Sequence, residues 1–112
     1  MIITFQSDKF AKDCNDDKRR TRRFGPKRAA LLKQRLDELV SCPVLKVMTT
    51  LPKPRCHELK GNHAGHLSVD LDHPYRLIFE PAINPTPKRK DGGLDWEKVE
   101  AISIIGIEDT HE

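Results

Sequence analysis

The sequence predicts an α+β fold, in which two N-terminal helices pack on one face of a largely antiparallel sheet of about five strands. Three observations support this prediction. Residues 1–5 are rich in strand formers, residues 26–41 show the clearest helical periodicity, and four segments with strand character follow between residues 56 and 107. Helices that precede a run of strands are typical of the α+β class.

Two helices are predicted after the first strand. Ser7 is a suitable N-cap for a short helix over residues 8–14, because its hydroxyl can accept a hydrogen bond from a backbone N–H of the first turn. A second helix is expected to begin at Pro26, which suits the first helical turn. Its apolar residues recur at near-helical spacing, opposite most of its charges: Ala29, Leu32, Leu36 and Leu39.

The C-terminal half is predicted to form a run of strands. Residues 56–59 resemble a short strand, and after a glycine turn residues 66–71 alternate polar and apolar side chains, which is typical of a strand with one solvated face. Residues 75–80 are expected to return as its hairpin partner, and residues 81–95 to form a surface loop rich in proline and glycine. Residues 98–107 are apolar on both faces, which indicates an interior strand beside which the first strand can pair.

Length and composition favour a single domain over residues 1–112. The chain is 37% hydrophobic and 33% charged, no apolar run approaches the roughly 20 residues of a membrane span, and the N-terminus lacks the pattern of a signal peptide. Three widely spaced cysteines favour free thiols in a reducing compartment. A cytoplasmic protein is therefore expected.

The net charge of +3 is unevenly distributed. Residues 1–60 carry a net charge of +8, and residues 61–112 carry −5. A basic half of this size favours a polyanionic partner, with a solvated basic helix face as the alternative. The side chains expected to contact RNA phosphates lie in the basic run, at the start of the second helix and in the glycine turn: Arg19, Arg20, Arg22, Arg23, Lys27, Arg28 and Lys60.

A second set of side chains suits the cleavage of RNA without a metal. His57 and Lys60 precede a glycine turn, Arg76 lies inside an apolar strand, and Asp109 and His111 lie at the tail. Such cleavage needs a base for the 2′-OH, an acid for the leaving 5′-oxygen, and fixed cations beside the phosphate. Histidine suits both proton transfers because imidazole titrates near neutral pH.

Over nearly the whole chain, the sequence resembles the RelE/ParE superfamily of bacterial toxins, and most closely its HigB-type members. The resemblance lies in residues 57–61 (His-Glu-Leu-Lys-Gly), 65–69 (Gly-His-Leu-Ser-Val), 75–79 (Tyr-Arg-Leu-Ile-Phe) and 109–111 (Asp-Thr-His). It implies the toxin of a type II toxin–antitoxin pair, which cleaves mRNA on the ribosome without a cofactor. It also implies three partners: the ribosome, its mRNA, and a helix-turn-helix antitoxin (HigA-like) that links the toxin to operator DNA.

The resemblance also implies roles for individual residues. His57 matches the histidine before the family's Leu-Lys-Gly, and Asp109 and His111 match the ends of its C-terminal Asp-Tyr-His. His57 or Asp109 would accept the proton of the 2′-OH, and His111 would protonate the leaving oxygen. Lys60 and Arg76 would stabilise charge on the phosphate.

The sequence departs from the family pattern at two places. Thr110 stands where a tyrosine is usual, and a threonine cannot stack on a base. Residues 81–95 are an insertion relative to compact members, and their basic residues 88–90 offer a further contact to RNA or to the antitoxin. The departure at Thr110 favours an alternative function, that of a non-enzymatic toxin or co-repressor that acts by binding a protein target or its antitoxin.

Two alternatives concern the site residues. Arg76 can form an ion pair across the sheet with Asp70 or Glu80 instead of binding phosphate. A zinc site is the other alternative, but its candidate ligands match no known zinc spacing, so no metal is expected. Those ligands are Cys56, His57, His63 and His66.

Overall fold

The computed structural model describes residues 1–109, and these residues have the predicted α+β architecture. The first strand, β1 (Ile2–Phe5), is followed by the helices α1 (Asp8–Asn15), α2 (Asp17–Phe24) and α3 (Pro26–Ser41). The remaining strands are β2 (His57–Glu58), β3 (Leu67–Asp70), β4 (Tyr75–Pro81) and β5 (Ala101–Asp109). Short 3-10 helices lie at Leu45–Thr50, Gly61–His63 and Trp96–Lys98.

The strands form one mixed sheet in the order β1-β5-β4-β3-β2. β1 pairs parallel to β5, and the other neighbouring strands are antiparallel. The predicted pairing of the first strand with the last is therefore confirmed, and so is the interior position of β5. This topology places the short strand β2 at the edge of the sheet, where its side chains border the turn that follows it.

The hydrophobic core lies between the helices and one face of the sheet, here called the inner face. Successive side chains of a strand project to opposite faces, so each strand contributes every second residue to this core. The core residues of β3, β4 and β5 are Leu67, Val69, Leu77, Phe79, Ile102 and Ile104, and those of α1 and α3 are Cys14, Leu32, Leu36 and Leu39. The opposite face of the sheet, here called the outer face, carries the polar residues of β3 and β4.

Helix α2 is an element that the sequence-based prediction lacks, because residues 18–23 have the composition of a solvated basic run. Its ends explain its formation. The Asp16 carboxylate caps the helix by accepting a hydrogen bond from the Arg19 backbone N–H at 2.8 Å, and arginine and lysine favour helices. Gly25 ends the helix with a φ of 81°, which is a conformation that glycine adopts without strain. The chain therefore turns directly into α3.

Residues 81–95 are more structured than the predicted surface loop. Lys88 and Leu94 form an antiparallel bridge, and the Asp95 N–H donates to the Pro87 carbonyl at 3.0 Å. Leu94 is buried against the core. Within residues 1–109, no helix is both long enough and apolar enough to cross a lipid bilayer.

Candidate active site

The pairing of the strands assigns side chains to the outer face. Residues directly opposite each other on neighbouring strands project to the same face. His57 on β2 therefore lies beside Ser68 on β3. In the next row, Asp70 on β3, Arg76 on β4 and Glu108 on β5 lie side by side. These two rows form the candidate active site.

His57 is half-buried at the edge of the sheet, and its tautomer follows from one contact. Its Nδ1 lies 2.8 Å from the carbonyl oxygen of Arg55. Because a carbonyl oxygen only accepts hydrogen bonds, Nδ1 carries a proton, and the neutral ring then has a lone pair on Nε2. Nε2 is buried and has no hydrogen-bond partner among the described residues. In the neutral ring, Nε2 is therefore the nitrogen that can accept a proton.

Arg76 is 8% exposed and is positioned by a carboxylate. Its Nε lies 3.4 Å from Oδ1 of Asp70, so the ion pair that the sequence left as an alternative is present. Arg55 also binds this carboxylate, with its Nε 2.9 Å from Oδ2. Asp70 thus lies between two guanidinium groups, and Glu108 lies beside Arg76 on the next strand. A fixed cation at this position suits an anionic ligand on the outer face.

The outer face is less solvated than the alternation of residues 66–71 predicts. Ser68, at the centre of that segment, is fully buried. The turn at Gly61–His63 brings His63 across the sheet, where its Nε2 lies 3.5 Å from Oε2 of Glu108. His66 lies beside it, with ring centroids 6.2 Å apart. The prediction of a solvated face is therefore wrong at its centre, because the turn between β2 and β3 folds over it.

The other proposed catalytic residues occupy different positions. Lys60 is exposed at the start of the turn that follows β2. Asp109 pairs with Tyr75 on β4, so the register turns it toward the face of Tyr75, whereas Glu108 shares the face of Arg76. The structure thus brings His57 and Arg76 to one face and does not place Asp109 beside them. Thr110 and His111 lie outside the described residues.

Two of the basic residues predicted to contact RNA have internal partners in the structure. Arg20 is 6% exposed, and its Nη1 donates to the Cys14 carbonyl at 2.7 Å while it forms an ion pair with Asp17. Arg28 lies over the ring of Tyr75, 3.6 Å from its centroid. Both guanidinium groups are therefore engaged by internal partners, and their contacts to RNA stay predictions.

The remaining basic residues stay on the surface. Arg22 and Lys27 are exposed. Arg19 and Arg23 border a pocket on α1 and α2 whose floor is Asp13, at 3.2 Å from Arg19 and 3.7 Å from Arg23. One buried carboxylate therefore orients two arginines that remain partly exposed. Fewer positive charges are therefore exposed on this surface than the number of basic residues in the sequence suggests.

Cys56 lies next to His57 in the chain. Burial raises the pKa of its thiol to about 12. Cys14, Cys42 and Cys56 form no disulfide. In the part of the chain that the structure describes, no three histidine, cysteine or carboxylate side chains converge on a position suited to a metal ion.

The structure adds residues that the sequence analysis did not assign to catalysis. His66, Ser68 and Glu80 lie on the outer face near His57, and Glu108 lies beside Arg76. A signal for two of them existed, because His66 and Ser68 are two residues apart in an alternating segment and must share a face. The positions of Glu80 and Glu108 could not be predicted in this way, because they depend on the register of β4 against its neighbouring strands.

Comparisons with known proteins define the fold. No sequence profile of a known family matches the chain, and no curated protein matches it significantly. Among solved structures, the chain is similar to one described as "YoeB-YefM complex from Staphylococcus aureus". The TM-score is 0.53 and the sequence identity is 17%, over 100% of this chain and 98% of that chain. The two chains therefore share their fold along their whole length.

Proposed function

We propose that this protein is the toxin of a toxin–antitoxin pair, of HigB type, and that it cleaves mRNA on the ribosome. The observation that carries the proposal is the placement of His57 and Arg76 on one face of the sheet. His57 presents there the nitrogen Nε2, which carries the lone pair when the ring is neutral, and Arg76 supplies a fixed cation. The fold shared with a chain of the YoeB–YefM complex supports the same class of protein.

The proposed reaction is an attack by the 2′-oxygen on its own 3′-phosphate. Nε2 of His57 accepts the proton of the 2′-OH as the new P–O bond forms. Arg76 and Lys60 stabilise the additional negative charge on the phosphate. The bond to the 5′-oxygen breaks, and the products are a 2′,3′-cyclic phosphate and a 5′-OH. The resemblance assigns the proton donor to His111 and a second base to Asp109, and both assignments stay proposals.

The ribosome is the expected aligning partner for this reaction. Within the described residues, the site contains few groups and no deep pocket at His57, so the RNA must be held in the reactive geometry by something else. Alignment of the 2′-OH with the phosphorus can lower the activation free energy of the reaction substantially. The exposed basic residues of α2 are proposed to bind ribosomal RNA, and a helix-turn-helix antitoxin is the proposed neutralising partner.

The ion pair of Arg76 with Asp70 favours a second candidate function. A cation that is already paired contributes less to a transition state, and Thr110 lacks the aromatic ring of the family. The alternative is a toxin of the same fold that binds a protein target, such as gyrase, or a co-repressor that acts only with its antitoxin. It predicts growth arrest without cut mRNA, or no growth arrest.

The test is induced expression followed by mapping of mRNA 5′ ends, and cleavage of mRNA on purified ribosomes. We expect cuts within translated codons and 2′,3′-cyclic phosphate ends, with little cleavage of naked RNA. His57→Ala should abolish cleavage, and Arg76→Ala should slow it by about 100-fold or more, as expected for loss of one charge-stabilising donor.

The control for these variants is His73→Ala, an exposed histidine in the turn between β3 and β4. It should cleave at the wild-type rate. Melting temperatures of all variants separate loss of catalysis from loss of fold, since Arg76 also anchors Asp70. Growth arrest with intact mRNA and inhibited gyrase would replace the nuclease with the binding function.

A further inference from the structure

We propose that His66 is a second catalytic histidine, which protonates the leaving 5′-oxygen, and that Ser68 positions the phosphate between His66 and His57. This inference rests on the proposed nuclease function and changes its chemistry. The resemblance places the proton donor at His111. The outer face supplies another imidazole, oriented by a carboxylate, next to the base.

The contacts of His66 orient it as a proton donor. Its Nε2 lies 3.4 Å from Oε2 of Glu80. Glu80 is in turn held by Gln6, whose Nε2 donates to Oε1 at 2.7 Å. A carboxylate that holds one ring nitrogen fixes the orientation of the ring and leaves the other nitrogen to act on a substrate. The other ring nitrogen, Nδ1, is buried and has no hydrogen-bond partner within residues 1–109.

Ser68 supplies an independent indication that this face receives a ligand. It is fully buried, and its Oγ forms no hydrogen bond with any described residue. A buried hydroxyl without a partner costs about 1–3 kcal/mol, so such a group is expected to serve a purpose. Three such atoms, His57 Nε2, His66 Nδ1 and Ser68 Oγ, occur on neighbouring positions of one face.

The register sets the spacing of the two imidazoles. His57 lies opposite Ser68, and His66 precedes Ser68 by two residues on the same strand face. His57 and His66 are therefore diagonal neighbours, a relation that separates side chains by about 7–8 Å. In this proposal the phosphate group binds between the two rings, beside the Ser68 hydroxyl.

The proposed steps balance in protons and bonds. Nε2 of His57 takes the proton of the 2′-OH while the 2′-oxygen forms a bond to phosphorus. The P–O5′ bond breaks, and the N–H of protonated His66 gives its proton to the 5′-oxygen. Ser68 Oγ donates a hydrogen bond to a non-bridging phosphate oxygen. Exchange of protons with water restores both histidines after the products leave.

The charged groups around His66 come from three parts of the fold. Glu80 of β4 faces its Nε2, and the ring of His63, from the turn at Gly61–His63, lies 6.2 Å away between centroids. His63 is itself paired with Glu108 of β5. His63 lies in the turn and contacts Glu108 of β5, whereas His66 lies two residues before Ser68 on the same strand face. His66 is therefore the better-placed donor.

The test uses a chemical change in the leaving group. mRNA is prepared with sulfur in place of the 5′-oxygen at the cleaved bond, because a thiolate leaves without a proton. With ordinary RNA on ribosomes, His66→Ala should slow cleavage by about 10²–10⁴, the usual worth of a general acid. With the sulfur-containing RNA, the loss should shrink to less than about tenfold. A merely structural role of His66 would slow both substrates equally.

Three further variants guard against misfolding and misassignment. His66→Gln can still contact Glu80 but cannot deliver a proton, so it should show the same loss and the same rescue by sulfur. If His66 is the donor, sulfur should not rescue His111→Ala, and any loss of rate in that variant should be equal on both substrates. Ser68→Ala should weaken the rate on both substrates, because it acts on the phosphate.

The outcomes separate this inference from the proposed function. If the wild-type protein does not cut mRNA on ribosomes, the nuclease function fails and the inference fails with it. If wild type cuts but His66→Ala is fully active, or if sulfur rescues His111→Ala instead of His66→Ala, only the inference is overturned.

Discussion

Arg28 belongs to the basic residues of the sequence, but its contacts in the structure give it a role in stability. Its guanidinium stacks on Tyr75 and binds the Asp72 carboxylate through Nε at 2.9 Å and Nη2 at 3.2 Å. These contacts join α3 to the turn between β3 and β4. Arg28→Ala should therefore lower the free energy of unfolding by about 1–2 kcal/mol, measured by urea denaturation. Lys27→Ala, its exposed neighbour, should change it by less than about 0.5 kcal/mol.

The same pair makes part of the stability depend on pH. The hydrogen bond from Arg28 lowers the pKa of Asp72 below the usual 3.8. A group whose pKa is lower in the folded state stabilises the fold above its unfolded pKa, and this contribution disappears as the pH falls through the folded value. The stability difference between wild type and Asp72→Asn should be constant between pH 7 and 5 and shrink below about pH 4. A difference that persists unchanged at pH 2 would contradict this assignment.

At the scale of elements, α2 contains both a buried arginine that stabilises the fold and an exposed arginine that does not. Arg20 and Arg22 lie on the same helix, but Arg20 is buried against the Cys14 carbonyl and Arg22 is exposed. Arg20→Ala should cost about 1.5–3 kcal/mol of unfolding free energy, since it removes charge-assisted hydrogen bonds and leaves a carbonyl without its donor. Arg22→Ala should be nearly neutral. Equal effects in urea denaturation would mean that the burial of Arg20 contributes nothing.

The elements also show which features local patterns can predict. The long helix α3 and the strands β3, β4 and β5 follow from apolar periodicity, and Ser7 and Pro26 mark helix starts as expected. Helix α2 does not follow, because it lacks an apolar stripe and is held by its cap and by a buried arginine. The alternation of β4 places Arg76 opposite its apolar neighbours, so the face of that residue was predictable.

At the scale of the whole molecule, the candidate site depends on distant parts of the chain. The pairs His66–Glu80 and His63–Glu108 depend on the sheet register and on the fold of the turn after β2, which no local pattern contains. The sequence therefore supplies the base and the cation, whereas the structure supplies the groups that orient and surround them. The site lies on the outer face, and α2 belongs to the helical layer on the inner side.

This separation predicts how the two surfaces contribute to activity. Lys18 and Arg22 are exposed on α2, away from the outer face, so they should govern ribosome binding and leave the chemical step intact. The double variant Lys18→Ala/Arg22→Ala should bind ribosomes more weakly. It should also show a shallower dependence of log affinity on log salt, by about 0.7–0.9 for each RNA phosphate that the variant fails to neutralise.

The maximal cleavage rate of this variant at saturating ribosomes should equal that of wild type. A matched control, Lys46→Ala/Lys53→Ala, removes the same charge from two exposed lysines between α3 and β2 and should leave the salt dependence unchanged. Arg20 is left unchanged in the α2 variant because it is buried. If the α2 variant binds with unchanged affinity and salt dependence, α2 is only a solvated basic surface, and the ribosome must be held through the outer face itself.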